Sequence, residues 1–451
     1  MIRMRLGEAA ATLGLRATGE DVAFGGVSTD SRSTPAGALF VAVRGPRFDG
    51  HDFVGAAAMR GAAAALVERA PEASAAIPFI LARDSVRALG QLAAAWRSRW
   101  RDLVLVGITG SNGKTTVKEM VAAILGTPGP VLATRGNLNN EIGVPLTLCR
   151  LDAGHRNAVV ELGANHGGEI ASLTALARPS VGVITQCAPA HLEGFGSVEG
   201  VARAKGELFE GLPDGAVAVV NADDPFAELW RALARPRRCI AFGVGADADV
   251  RVRARSDAGR THVSLDTPVG SAEIDLALAG MHNALNAGAA AAAAIAAGAG
   301  RDAIREGLAS VRPAKGRLES KRGLRGAEII DDTYNANPAS LLAGLQVLGA
   351  KPAPRWLVLG DMAELGPDGA SLHAQAGCDA RGHGVERLFA VGALSTEAVR
   401  TFGAGATHFA HCAALADRLR DELPDGATVL VKGSRSMAME RVVEAIAREG
   451  R

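Results

Sequence analysis

Residues 107–116, Gly-Ile-Thr-Gly-Ser-Asn-Gly-Lys-Thr-Thr, begin within the end of the very apolar run 103–108 and lead into a helical stretch at 117–125. A strand, a glycine-rich turn and a helix in immediate succession place the turn at the C-terminal edge of a parallel sheet, which restricts the chain to an open α/β architecture. Glycines there let backbone N–H groups turn inward, the helix N-terminus adds positive potential, and a lysine reaches terminal phosphates. Gly110, Ser111, Asn112, Gly113, Lys114, Thr115 and Thr116 are therefore the expected phosphate cradle, with the Thr115 hydroxyl offered to magnesium. ATP is the implied ligand. The spacing departs from G-x-x-x-x-G-K-[ST], because Ile108 holds the first glycine position and Gly107 lies one residue earlier. An ordinary glycine-rich turn is the competing reading, and it leaves Gly-Lys-Thr-Thr between strand and helix without a reason.

At 451 residues the chain exceeds one ordinary core, so two or three domains are expected. Residues 1–101 alternate short strand-like runs (39–43, 64–67, 79–82) with alanine-rich helical stretches such as 54–60, the pattern of a small N-terminal α/β domain. From 102 to 312, apolar strands at 103–108, 158–161, 181–185 and 217–221 recur between helices, which predicts a doubly wound, mostly parallel central sheet. Pro313, in the stretch 312–315, marks a hinge. Residues 313–451, with strands at 329–331, 356–359, 387–391 and 428–431, read as a smaller Rossmann-like α/β domain.

Charge excludes some partners. With 49 basic and 48 acidic residues, no global field draws the chain to nucleic acid or a membrane surface, so a bound phosphate must be held by a local site. The five cysteines, Cys149, Cys187, Cys239, Cys378 and Cys412, form no C-x-x-C pair, which argues against a disulfide framework or a zinc site and for a reducing, cytoplasmic setting. The first 16 residues lack the sustained apolar core of a secretion signal. The uncharged run 283–300 is alanine and glycine, too weakly hydrophobic for a bilayer span, so a helix of a soluble protein without membrane insertion is expected.

The variant loop Thr-Gly-Ser-Asn-Gly-Lys-Thr-Thr resembles that of the Mur ligase superfamily, which also contains folylpolyglutamate and cyanophycin synthetases. Matching strings run through all three segments: Gly-Val-Ser-Thr-Asp-Ser-Arg at 26–32, Gly-Asn-Leu-Asn-Asn-Glu-Ile-Gly-Val-Pro at 136–145, Glu-Leu-Gly-Ala-Asn-His at 161–166 and Ala-His-Leu-Glu-Gly-Phe-Gly at 190–196. Further along come His-Asn-Ala-Leu-Asn at 282–286, Asp-Asp-Thr-Tyr-Asn-Ala-Asn-Pro at 331–338, Leu-Gly-Asp-Met-Ala-Glu-Leu-Gly at 359–366 and Lys-Gly-Ser-Arg-Ser at 432–436. The set resembles the branch that joins D-alanyl-D-alanine to a UDP-N-acetylmuramoyl-tripeptide. Such chemistry makes an acyl phosphate and then displaces phosphate with an amine. Both transition states concentrate negative charge, so metal carriers and cationic clamps are needed more than a protein nucleophile.

Residue roles follow from the resemblance. Glu161 closes an apolar strand at the ligand-binding edge and would hold magnesium opposite Thr115; His191 is implied at a second magnesium. Lys205 matches a position that several family members carbamylate. An ammonium repels magnesium and a carbamate attracts it, whereas an unmodified lysine would pair with phosphate or with Glu207; both readings stay open. Asn283 and Asn286, three apart at a helix start, share a face suited to an adenine edge, although either can cap the helix. Arg317 is implied at the terminal phosphate, and Asp332, Tyr334 and Asn335 beside the nucleotide once the domains close. A surface arginine and a turn-forming Asp-Asn cluster are the alternatives. Ser28, Asp30, Ser31, Arg32, Arg44, Phe48 and His51 fall in the segment that resembles a uridine-nucleotide holder. Asn137, Asn139, Asn140 and Asn337 are candidates for peptide contacts, and Lys432, Ser434 and Arg435 for the dipeptide carboxylate. A monomer is expected.

Two rivals make different demands. The ligase adding the third amino acid would carry an Asp-Asn-Pro-Arg type motif, which is absent here. A nucleotide-dependent switch would hydrolyse ATP without peptide, and it leaves Glu161, His191 and Lys205 unexplained.

Overall fold

The computed structural model describes residues 1–46, 48–72, 76–257 and 260–448. Three α/β units follow one another, with a two-stranded ribbon, Arg3–Arg5 against Ala23–Gly25, beside the first. The N-terminal sheet has five strands in the order Ala17–Thr18, Phe79–Leu81, Ala64–Val67, Leu39–Val41, Val27–Ser28. Its helix Ser85–Ser98 starts where the Asp84 side chain accepts the Arg87 N–H, and it docks outward: Trp96 Nε1 donates to Leu151 O at 3.0 Å. One apolar cluster joins Leu89, Leu92 and Trp96 to Leu105, Leu148 and Leu173, so the first two units share a core across the expected boundary near 101.

The central sheet has nine strands. Parallel neighbours run Val131–Ala133, Asn157–Glu161, Val104–Thr109, Val181–Ile184, Val217–Asn221, Arg238–Gly243 and Val250–Asp257. Two antiparallel strands, Arg260–Asp266 and Ala272–Leu276, then extend the edge. The apolar-run pattern missed this extension, because each strand buries only alternate residues, such as Val263 and Leu265 opposite Ile274 and Ala272. The alanine-rich stretch is the helix Met281–Ala296, packed so tightly that a Cβ on Gly288 would meet Val252 Cγ2 at 2.4 Å. Small side chains there permit close approach of helix to sheet. Among the described residues, no helix is long and apolar enough to cross a membrane.

The C-terminal sheet orders Glu319–Arg322, Glu328–Asp332, Thr428–Lys432, Arg355–Gly360, Arg387–Val391 and Ala406–Phe409; only the first pair is antiparallel. Register decides what meets at the strand ends. Glu161 lies opposite Ile108, immediately before the loop, and Asp332 lies opposite Lys432, so both sheets bring charged residues to their C-terminal edges.

Candidate active site

The helix after the glycine-rich loop begins at Lys114, a turn earlier than its apolar pattern shows, because Gly113 takes φ +84° and lets the chain enter the helix without a capping side chain. Gly110 is equally constrained: a Cβ there would meet Thr185 Oγ1 at 1.9 Å. Lys114 Nζ donates to Gly110 O at 2.7 Å, and burial pushes its pKa down against the opposing pull of Glu161.

Glu161 is 3 % exposed, and its carboxylate is held from both sides. Thr115 Oγ1 donates to Oε2 at 2.9 Å, and Asn139 Nδ2 donates to Oε1 at 2.9 Å. The same Thr115 hydroxyl accepts from Arg317 Nη2 at 2.9 Å, with Arg317 coming from the C-terminal unit and stacked 4.1 Å over the Tyr334 ring. A second cross-domain link pairs amides: Asn337 Nδ2 donates to Asn112 Oδ1 at 2.8 Å while Asn337 Oδ1 caps the helix Pro338–Gly349. His191, in the left-handed region at φ +54°, meets the Glu364 carboxylate across the same gap, and burial keeps its pKa low.

These contacts wall a cleft of about 1190 Å³. Its lining unites Ser111 to Thr116, Asn137, Asn139, Asn140, Glu161 and His191 with Asn283 and Asn286, and across the gap Arg317, Asp332, Tyr334, Asn335, Asn337, Lys432, Ser434 and Arg435. Gly110 shapes the loop from behind. Lys205 lies outside the lining, 2 % exposed, with its ammonium 5.3 Å above the Phe195 ring and a pKa brought down to about 7 by burial and then by Lys114. Its expected partner Glu207 is engaged elsewhere, accepting from Gly168 N and Ala171 N at 2.7 and 3.0 Å.

Several side chains are committed differently from the sequence expectation. His51, expected among the substrate contacts, is buried with both ring nitrogens engaged, Nδ1 by Asp49 and Nε2 by the Glu68 N–H at 2.7 Å. Lys432 is the buried last residue of its strand, not a loop residue, and it binds Asp332 and Asn335 O at the cleft wall. Burial raises the Asp332 pKa while Lys432 opposes the rise. Ser434 Oγ is taken by the Ala363 N–H at 2.6 Å, whereas Arg435 stays exposed and pairs with Glu440. Asn139 serves Glu161, and Asn337 the loop and a helix start. Asn283 Nδ2 donates back to Ala279 O and its Oδ1 accepts from Asn286, so the first amide is largely internal and neither caps the helix.

None of Ser28, Asp30, Ser31, Arg32, Arg44, Phe48 and His51 is in the cleft lining. Asp30 chelates Arg32, whose guanidinium pulls the carboxyl to about 2, and Ser28 Oγ folds onto the same turn. Arg44 reaches toward Asp49 at 3.5 Å, and Phe48 is 71 % exposed, an aromatic face open for stacking. His51→Ala is expected to cost about 1 kcal/mol of stability, because it takes the acceptor from the Glu68 N–H and empties a buried ring site, with kcat unchanged. Denaturant unfolding beside steady-state kinetics checks this; an equal drop in kcat at unchanged stability would restore His51 to the substrate site. Sequence reasoning also missed Lys118, Thr134 and Glu364. A lysine four residues after Lys114, on the same helix face, was the available signal for the first.

Fold and cleft define a phosphate-loop α/β protein whose C-terminal sheet domain covers the loop. The Mur ligase middle domain pattern matches residues 108–294, the Mur ligase glutamate ligase domain 316–435, and the Mur ligase family catalytic domain 23–97. The chain belongs to the Mur ligase family. It is 43 % identical over 461 aligned residues to the UDP-N-acetylmuramoyl-tripeptide–D-alanyl-D-alanine ligase of Escherichia coli (strain K12), covering 100 % of both chains. Its structure resembles MurF from Acinetobacter baumannii (34 % identity, TM-score 0.92, 98 % of each chain). It also resembles MurF from Thermotoga maritima in complex with ADP (29 % identity, TM-score 0.83, 93 % of this chain and 96 % of that one).

Proposed function

We propose that the chain is an ATP-dependent amide-bond ligase that joins D-alanyl-D-alanine to UDP-N-acetylmuramoyl-tripeptide, releasing ADP and phosphate, in peptidoglycan precursor synthesis. The observation that carries the ligase chemistry is the convergence of the phosphate loop, Glu161 and the C-terminal Arg317 on one hydroxyl, Thr115 Oγ1. The substrates come from the activity named for the full-length relatives.

Loop N–H groups and Lys114 grip the triphosphate. The tripeptide carboxylate attacks the γ-phosphorus, one P–O bond forms as the bond to ADP breaks, and Arg317 steadies the charge on the transferring group. The dipeptide amine then attacks the acyl carbon, phosphate departs with its C–O bond, and the amine loses a proton. Closure of the C-terminal unit keeps water from the acyl phosphate.

Thr115 and Glu161 form a hard oxygen donor pair that fits magnesium, and His191 would serve a second ion. Among the described residues no three His, Cys, Asp or Glu side chains gather as a metal cluster, so an ion held by Thr115 and Glu161 would take its remaining coordination from water and phosphate. Bound there, magnesium neutralises phosphate charge. Lys205 is carbamylated in this reading: its amine attacks carbon dioxide, an N–C bond forms and a proton leaves, so that an oxygen-donor anion replaces the ammonium. A pKa near 7 supports it, because the neutral amine is the reactive form.

Residues 1–101 hold the uridine end, with Arg32, Arg44 and Phe48 exposed to meet it; 102–312 bind ATP; 313–451 close and present the dipeptide. The chain is read as a monomer, and the free cysteines fit a cytoplasmic setting. The test omits ATP, magnesium, tripeptide or dipeptide in turn while ADP and product mass are followed. Phosphate release indifferent to the dipeptide sinks the ligase reading.

Lys205 also makes a pH prediction. Its folded pKa of about 7 lies below the ordinary 10.5, so between them the unfolded chain binds more protons and stability rises with pH; below about 7 the penalty is complete. In buffers purged of carbon dioxide, the melting temperature of wild type minus that of Lys205→Met is expected to climb from pH 7 to 9.5. A flat difference refutes the depressed pKa.

A further inference from the structure

We propose that Lys118 is a positioning residue for Glu161, acting through Thr134, and that it tunes how tightly the cleft holds the magnesium form of the nucleotide. The inference rests on the assignment of Glu161 to the metal side. Lys118 stands one turn after Lys114 on the same face of the helix Lys114–Leu125, yet the two lysines serve different elements. Lys114 turns back to the loop. Lys118 crosses to the edge of the sheet, where it is 2 % exposed and its Nζ donates to Thr134 O at 3.0 Å.

Its other partner, Glu119, is a half-exposed neighbour on the same helix, a pairing that needs no burial. The Thr134 contact holds the ammonium at the cleft wall. Removing such a charge from water is costly, and an apolar side chain of similar length would fill the space without that cost.

Thr134 is buried too, and follows the strand Val131–Ala133 in parallel register with Asn157–Glu161. Its N–H donates to Val159 O at 3.1 Å and its Oγ1 accepts the Glu161 N–H at 3.0 Å. Lys118 therefore grips the carbonyl of the residue whose hydroxyl grips Glu161. With the backbone fixed this way, the carboxylate is presented between Thr115 and Asn139. Groups that orient a metal carboxylate from behind typically matter tenfold or more in metal affinity.

The test uses the full chain and reads the melting-temperature rise caused by ADP with and without magnesium, beside the magnesium concentration for half-maximal turnover. Lys118→Met is expected to keep the ADP-only rise, to lose the additional rise from magnesium, and to need about tenfold more magnesium. Lys118→Arg, which can still donate to Thr134 O, is expected to recover most of both. Wild-type magnesium dependence in Lys118→Met overturns the proposal, as does loss of the ADP-only rise or an arginine no better than methionine. Thr134→Val removes only the hydroxyl on the Glu161 N–H and is expected to show the same signature; its silence overturns the proposal even where Lys118→Met does not fold. Glu161→Gln run in parallel separates the two levels. If it too leaves magnesium dependence unchanged, the assignment of Glu161 fails; if it alone shifts, only the role of Lys118 fails.

Discussion

Lys114→Ala is expected to lose turnover by about a thousandfold or more while keeping its fold. The lysine is the one cation on the loop itself, and its Nζ makes contacts only to loop carbonyls, Gly110 O at 2.7 Å and Ser111 O at 3.4 Å. Alanine is well suited to the helical position it would occupy, so the stability change should stay within about 1 kcal/mol. What disappears is a cation placed where charge builds on the transferring phosphoryl group, in a site with little water to screen it. Single-turnover ADP formation measured beside a thermal melt checks both halves. Wild-type turnover in a folded Lys114→Ala protein would mean that the nucleotide is held elsewhere.

Glu161→Gln should come next in severity, with a loss of about a hundredfold at fixed magnesium. The exchange is nearly isosteric, and an amide can still meet Thr115 on one side and Asn139 on the other, so packing is kept while the negative charge goes. A charge-dependent role predicts that high magnesium restores part of the activity, because weakened ion binding is a matter of mass action. A structural role predicts a lower melting temperature and no recovery. A variant that binds magnesium as wild type does and turns over normally would remove Glu161 from the chemistry.

Much of this architecture was legible because parallel strands buried on both faces announce themselves as apolar runs. The strands Ala64–Val67, Val217–Asn221 and Arg387–Val391 fall where the pattern predicts, most others differ by a residue at one or both ends, and the run 39–43 stops two residues early at Val41. The half-exposed strands Arg260–Asp266 and Ala272–Leu276 were not legible as sheet, since their alternating faces dilute the same signal. Within the cleft, the loop and Glu161 could be read locally, each being a strand end followed by polar residues. Asn337 and Lys432 could not. Their side chains are consumed by partners 225 and 100 residues away, Asn112 and Asp332, and no local pattern encodes that distance.

The amino-acid order alone determined the strand–loop–helix unit around Lys114 and the succession of α/β segments, because backbone geometry and apolar periodicity act over a few residues at a time. Which groups are free to meet a ligand was decided only by the folded chain. Burial and hydrogen bonding give His51, Lys432 and Ser434 partners within the protein, and bring Arg317 across a domain gap to Thr115. A polar side chain is available for chemistry only when folding has left it unpaired or has aimed it at the cleft, and that balance is struck between residues far apart in the chain.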